Sequence, residues 1–434
     1  MEYWSTPLPV AHDSPLSLAR PCGAAEAAAR PIKNPLHEAH ARMTSEKTAN
    51  PLQITQTRRR FLGRAAFGVG LGLTLGPALL PRIARAATPS KRKFIFVFAQ
   101  GGWDPTRVFA TEFANPRVDM EAAADLGTAG GLRYVRHPNR PSVDAFMDAW
   151  HDRTVIFNGV MVGSIAHEIC TMRAMTGATS GLAPDWPAIL ANHDRGAFAL
   201  PHLVLGGPSF PGEQGVAVAR PGTAGRRGAL ASGQALVDGF ATQDARGVRD
   251  LQYLTDLAGG AGLAEQAAVA VDVLRNGISR CLTLSAGSAF SWDTHARNDA
   301  GQSPLWEDLY GGLGQLVHML ASAPGELEPT LLDETTVVVL SEMGRAPGRN
   351  GLDGKDHWPY TSIMMVGAGL TGDRVVGGFD AAYHGERVDP ASGDVAASAP
   401  VLSAQAIGAT LLALADVDPA GFVTGAEPIR GVIA

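Results

Sequence analysis

The segment Thr335–Leu340, TTVVVL, is the strongest constraint on the fold, because its six residues are β-branched or apolar on both faces of any strand they form. Such a strand belongs in the middle of a parallel sheet with both surfaces covered by helices. It runs directly into Ser341-Glu342-Met343-Gly344 and a glycine-rich loop that ends at Asp356-His357. Open α/β sheets present ligand-binding groups at these carboxyl ends. Two further segments repeat the arrangement. FIFVFAQGGWDP carries an apolar run at 94–99, then Gly101-Gly102 and Trp103-Asp104, and RCLTLSAGSAFSWDTHARN carries a strand over Cys281–Ser285 followed by Asp293 and His295. Three apolar strands therefore each end in a carboxylate, and two of the loops also hold a histidine.

With 434 residues and 45% hydrophobic content, the chain can bury a large core. Its 51 glycines and 29 prolines follow no repeat period and are read as long loops between regular elements. Residues 1–56 show no periodic apolar pattern and are taken as a leader or a start assigned too early, with Met43 at a more usual distance upstream of the arginine run at 58–60. Thr57-Arg58-Arg59-Arg60-Phe61-Leu62-Gly63, an apolar stretch over 65–80 and Ala84-Arg85-Ala86 resemble a twin-arginine export signal over 57–86. The alternative is a basic membrane anchor, but the stretch is shorter than the roughly 20 residues of a spanning helix. Export then implies a periplasmic or extracellular protein that meets a membrane only in transit.

Residues 1–86 hold eleven Lys/Arg and five Asp/Glu, so the remainder carries 25 basic against 37 acidic residues, a formal charge of −12. That balance argues against nucleic acid as a partner. Cys170 and Cys281 remain in this portion, and their redox state is open.

From 87 to 434 strands and helices alternate. Strands are expected at 94–99, 154–158, 202–205, 281–285, 335–340 and 362–366, and helices from about His167 and at 263–276, 304–321 and 403–414. This ordering predicts a single α/β domain with a mostly parallel central sheet and helices on both faces.

GGWDP, SWDTHARN, VVVLSEMGRAPGRNG, GKDHWP and RVVGGFD followed by ATLLALADVDP resemble the bacterial family known as domain of unknown function 1501, over about 93–423. That family is similar to the alkaline phosphatase and sulfatase superfamily. The resemblance implies an alkaline-phosphatase-like sheet with divalent metal, of unspecified identity, held at strand ends. Asp104 matches the metal-binding Asp after the first strand. Glu342 stands where those hydrolases have a ligating Asp, while Met343 replaces their ligating His with a thioether ill suited to hard or borderline ions.

Asp293 and His295 lie two apart, which in an extended segment turns both to one side, so they can grip one ion together. Asp356 and His357 then point to opposite sides, and His357 is taken as ligand with its neighbour orienting a histidine. The expected metal set is Asp104, Asp293, His295, Glu342 and His357, the alternative being a structural polar network. Sulfatases place their nucleophile ten residues before a Thr-Gly pair. Counting back from Gly177 gives His167, with Thr171 rather than arginine four residues on and Arg173 two beyond. His167 can accept a phosphoryl group, bind metal, act with Cys170, or be a buried structural histidine. Trp103, Trp292 and Trp358 pack loops or wall a substrate site. Arg345 and Arg349 bind an anion or, more simply, sit solvated in a loop, and His151, His193 and His202 are read as structural.

Two function classes follow. One is an exported, metal-dependent hydrolase of phosphate or sulfate esters acting on an anionic small molecule or polymer, with His167 as nucleophile or base. The other is a catalytically degenerate relative that binds a ligand, protein partner or polymer on the same scaffold.

Overall fold

The structure is a computed structural model that describes residues 92–219 and 262–434. The leader and export signal expected at 1–86 lie outside the described residues. No helix among the described residues is long and apolar enough to cross a membrane.

The strands are β1 Lys93–Phe98, β2 Asp125–Ala129, β3 Leu132–Arg136, β4 Thr154–Met161, β5 His202–Val204, β6 Val218–Ala219, β7 Cys281–Ser285, β8 Thr335–Leu340, β9 Gly344–Arg345, β10 His357–Trp358, β11 Tyr360–Gly367 and β12 Arg374–Gly377. Eight of them form one sheet in the order β12-β4-β11-β8-β1-β7-β5-β6. β11 runs antiparallel to both β4 and β8, while the other pairings in this sheet are parallel. The expected mostly parallel sheet is therefore present, with one reversed strand inside it.

The six longer helices among the described residues are α1 Pro141–Trp150, α2 His167–Thr176, α3 Trp186–His193, α4 Leu263–Arg275, α5 Asn298–Ser322 and α6 Ala404–Leu414. Alternation along the strands sorts the core into two layers, as the period of two requires. Ile95, Val97, Val337 and Val339 pack with α1, α4 and α5 on one side. Phe94, Phe96, Val338 and Leu340 pack with α2, α3 and α6 on the other. β8 and β1 lie side by side at the centre, Phe98 opposite Leu340, so the loops after both strands leave the sheet at neighbouring points.

Helix α5 begins six residues before Pro304, which was expected to open it and instead lies inside. The earlier start follows from Asn298, whose fully buried amide donates to Thr294 Oγ1 at 3.1 Å and accepts from Arg107 at 2.9 Å. At the buried end of the sheet, Lys93 of β1 pairs with Glu334 at 2.5 Å. Cys170 and Cys281 are both buried and free rather than paired.

Candidate metal centre

Four elements bring their side chains to one place beyond the carboxyl ends of β1, β7 and β8. The loop after β7 supplies Asp293 and His295, the first residue of α2 supplies His167, the first of β10 supplies His357, and the residue two past β8 supplies Glu342. Helix α2 starts at His167 and stops at Gly177, which takes a left-handed conformation with φ 69°. The short β9–β10 ladder pairs His357 with Arg345 and so fixes the histidine against the end of β8.

The close approach of the loops depends on Gly101. Its φ is 125°, and a Cβ there would lie 2.6 Å from Asp293 N and 2.9 Å from Trp292 backbone atoms. Its own N–H donates to Glu342 Oε1 at 2.8 Å. Gly101→Ala is expected to push the Asp293 loop away and destabilise the fold by about 1–3 kcal/mol through backbone strain, measurable by denaturant unfolding. An unchanged midpoint would mean that the loop has slack.

His167 Nδ1 lies 2.8 Å from Glu342 Oε1, His357 Nδ1 lies 2.7 Å from the Ile165 carbonyl, and His295 Nδ1 lies 3.2 Å from Asp356 Oδ1. A carbonyl can only accept, so His357 carries its proton on Nδ1. Each of the other two rings likewise has a carboxylate at Nδ1. All three rings thus turn Nε2 toward Asp293: His295 and His357 each at 3.1 Å from Oδ1, and His167 at 3.5 Å from Oδ2. The Nε2 atoms of His295 and His357 are 2.9 Å apart.

With every Nδ1 occupied, neutral rings would aim their lone pairs at one another and at a carboxylate. A cation or an extra proton is needed among them. His167 Nε2 is buried with no hydrogen-bond partner. One donor atom each from His167, Asp293 and His357 lies within 4.8 Å of the others. Two imidazoles and a carboxylate, each held from behind, are the donor chemistry of a transition-metal site.

Electrostatics agree. Burial pushes the Asp293 carboxyl up, but the Arg345 and His357 hydrogen bonds outweigh it and bring its pKa down to about 2. The Glu342 hydrogen bond raises the pKa of His167 against the opposing effect of burial. Hydrogen bonds from Asn350 and His295 lower that of Asp356.

Two expected ligands are placed otherwise. Glu342 is fully buried, with Oε1 accepting from Gly101 N and His167 and Oε2 accepting from Ser341 Oγ at 3.1 Å. Its oxygens hold the His167 ring and the Gly101 backbone in place. Asp104 is also fully buried and is neutralised by Lys355 at 3.0 Å and Arg107 at 3.2 Å, while Thr106 Oγ1 donates to it at 2.7 Å. Its carboxylate belongs to an internal ion-pair network and is not among the donor atoms that His167, Asp293 and His357 bring together.

Cys170, three residues on from His167, is buried, and burial pushes its thiol up to about 11. Arg173 donates to the carbonyls of Val162 and Gly163, so it ties a loop instead of facing the site. Trp103 and Trp292 are buried against Trp306, which makes them packing residues.

Sequence reasoning missed Arg345. It was expected in solvent, yet it is fully buried, donates to the Gly102 carbonyl at 2.8 Å and reaches Asp293 at 2.6 Å. Only the pairing of β9 with β10, which sets Arg345 opposite His357, places it at this centre. The apolar residues around His167 were missed as well. Phe290 meets its ring edge-on at 5.1 Å, and Phe290, Ile165 and Ile169 are all exposed.

The family described as "Protein of unknown function (DUF1501)" matches residues 229–427. No curated protein matches the chain. Among solved structures, the lipoteichoic acid synthase LtaP from Listeria monocytogenes is similar at 8% identity and a TM-score of 0.44, covering 80% of this chain and 77% of its own. The C-terminal periplasmic domain of EcEptC from Escherichia coli is similar at 9% identity and 0.40, covering 77% and 84%. A protein in the alkaline phosphatase superfamily from Vibrio parahaemolyticus is similar at 10% identity and 0.34, covering 76% and 68%. The family resemblance expected from the motifs is thus found over the part of the chain that holds Asp293, His295, Glu342 and His357, and residues 229–427 are similar to the DUF1501 family.

Proposed function

We propose that this protein is an exported, metal-dependent hydrolase of phosphate or sulfate esters, with His167, Asp293 and His357 holding one divalent ion. The observation that carries this reading is the buried, unpartnered Nε2 of His167, 3.5 Å from Asp293 Oδ2. A bound divalent ion would polarise the ester and lower the pKa of an attacking water. Glu342 and the Ile165 carbonyl fix the two ligand rings, and Asp356 fixes the ring of His295. His295 is 46% exposed, the most open of the three histidines, so the centre faces solvent on its side. With Nδ1 on Asp356 and Nε2 turned inward, His295 is the residue placed to move a proton for the attacking water or the leaving group. An anionic small molecule or polymer is the substrate class.

The second reading, a protein that binds metal and ligand without turnover, draws support from the nucleophile position. His167 stands where the related hydrolases carry an activatable side chain, and the one nearby thiol stays protonated. Substitutions separate the two. In purified protein, His357→Ala is expected to lose both bound metal, measured by elemental analysis, and hydrolysis of p-nitrophenyl phosphate or sulfate. His295→Ala should retain metal while turnover drops by about 10²–10⁴-fold. Stoichiometric metal with no turnover in the parent protein would favour the binding reading, and no metal under any loading condition would end both.

A further inference from the structure

Phe290 sits in the loop that delivers Asp293, and its carbonyl accepts from Asp293 N at 3.1 Å. Its ring stands nearly perpendicular to that of His167, at 77° and with centroids 5.1 Å apart. His167 is 15% exposed and Phe290 47%, so the phenyl group is the outer of the two and lies between a ligand histidine and solvent. Ile165, whose carbonyl holds the His357 ring, is 57% exposed. Each of the two ligand histidines is thus covered or held by a residue that is itself apolar and exposed.

The turn gives no reason for a phenyl group. Phe290 has φ 58°, a left-handed backbone that bulky side chains adopt rarely and at a free-energy cost. Glycine or asparagine would adopt it more readily. Burial does not offset that cost, since nearly half of the residue stays in water. The His167 ring is already fixed through Nδ1 by Glu342, at 2.8 Å.

We infer that Phe290 is the specificity-determining residue of the metal centre, its ring and the neighbouring Ile165 taking an apolar organic half, aryl or alkyl, of the phosphate or sulfate ester. An ester whose anionic oxygens reach an ion among His167, Asp293 and His357 places its organic half just outside them, on the rim where Phe290 stands. A hydroxylated group would lose hydration against the phenyl face and find no hydrogen bond there, whereas an apolar group gains by leaving water. That the group belongs to an ester rests on the hydrolase reading, whereas the preference for anions with an apolar substituent does not.

The test is isothermal titration of the metal-loaded protein with phenylphosphonate against methylphosphonate, and benzenesulfonate against methanesulfonate, with dihydroxypropylphosphonate and dihydroxypropanesulfonate as hydroxylated counterparts. In at least one series the phenyl member is expected to bind at least about tenfold tighter than the methyl one, the effect of withdrawing on the order of 60 Å² of apolar surface from water. Phe290→Ala should reduce that preference to about threefold or less with metal content unchanged, and Phe290→Tyr should keep it. No preference in either series, a preference that survives Phe290→Ala, or a hydroxylated counterpart that binds as tightly as the preferred phenyl anion would overturn the proposal. So would loss of metal in Phe290→Ala, which would make the ring a support for His167. A Phe290-dependent preference without hydrolysis of any ester would leave this assignment standing and remove only the hydrolase reading. Hydrolysis of p-nitrophenyl phosphate or sulfate without the preference would do the reverse.

Discussion

Asp293→Asn is expected to lower metal affinity by more than about a hundredfold, because even the outer partners of metal ligands are worth about 10–100-fold and Asp293 is the acceptor on which three rings converge. The substitution keeps the shape and removes the charge. Without that charge, Arg345 faces the incoming cation uncompensated. The fold should tolerate the change, since Arg345 retains its hydrogen bonds to the carbonyls of Gly102, Lys355 and Trp292. Losing its charged partner is expected to cost about 1.5–3 kcal/mol. Glu342→Gln offers a graded comparison. Its amide oxygen can still accept from Gly101 and His167, so affinity should fall only by about 10–100-fold. Competitive titration with a chromophoric chelator reads all three proteins, and an Asp293→Asn affinity within tenfold of the parent would remove Asp293 from the ligand set.

Much of the fold was legible because local pattern and burial agree in its centre. β1, β7 and β8 lie where continuous apolar and β-branched runs placed them, since a strand covered on both faces is dominated by such residues. The direction of β11 was not legible. Ile363, Met364, Met365 and Val366 are all apolar and read equally well in either sense, so only the pairing with β4 and β8 decides it. At the site, spacing within one loop was a good guide, whereas matching across strand ends was not. The two-residue spacing of Asp293 and His295 does bring their polar atoms together, at 3.1 Å. Asp356 and His357 do point apart, and they meet His295 from opposite ends of its ring. Asp104 and Glu342 both follow strands as expected, yet their partners are set by long-range packing. Lys355 and Arg107 claim one carboxylate, and Gly101, Ser341 and His167 claim the other. Nothing in the spacing of a carboxylate shows whether a cationic side chain will reach it first.

Asp104→Ala is expected to destabilise the protein by about 3–5 kcal/mol while leaving metal content of the folded fraction intact, because it strands the buried charges of Lys355 and Arg107. Burial by itself raises the Asp104 pKa, but Lys355, Arg107 and the Thr106 hydroxyl outweigh it and hold the carboxyl below its usual value. A depressed folded-state pKa contributes stability that is present above the unfolded value of about 3.9 and is lost as pH falls through the lower folded value. The parent protein should therefore lose stability below about pH 4 on this account, and Asp104→Ala should lack that part of the acid limb. Arg107 also reaches Asp299 at 2.5 Å and Glu121 at 3.4 Å, so part of its charge stays compensated in the variant. Lys355 keeps only Thr106 Oγ1, at 3.1 Å, among its side-chain hydrogen bonds, and so carries most of the penalty. Denaturant unfolding across pH 3–7, about the carboxylate range, together with elemental analysis, measures both quantities. A variant that unfolds like the parent but has lost its metal would return Asp104 to the ligand set and show the ion-pair network to be incidental.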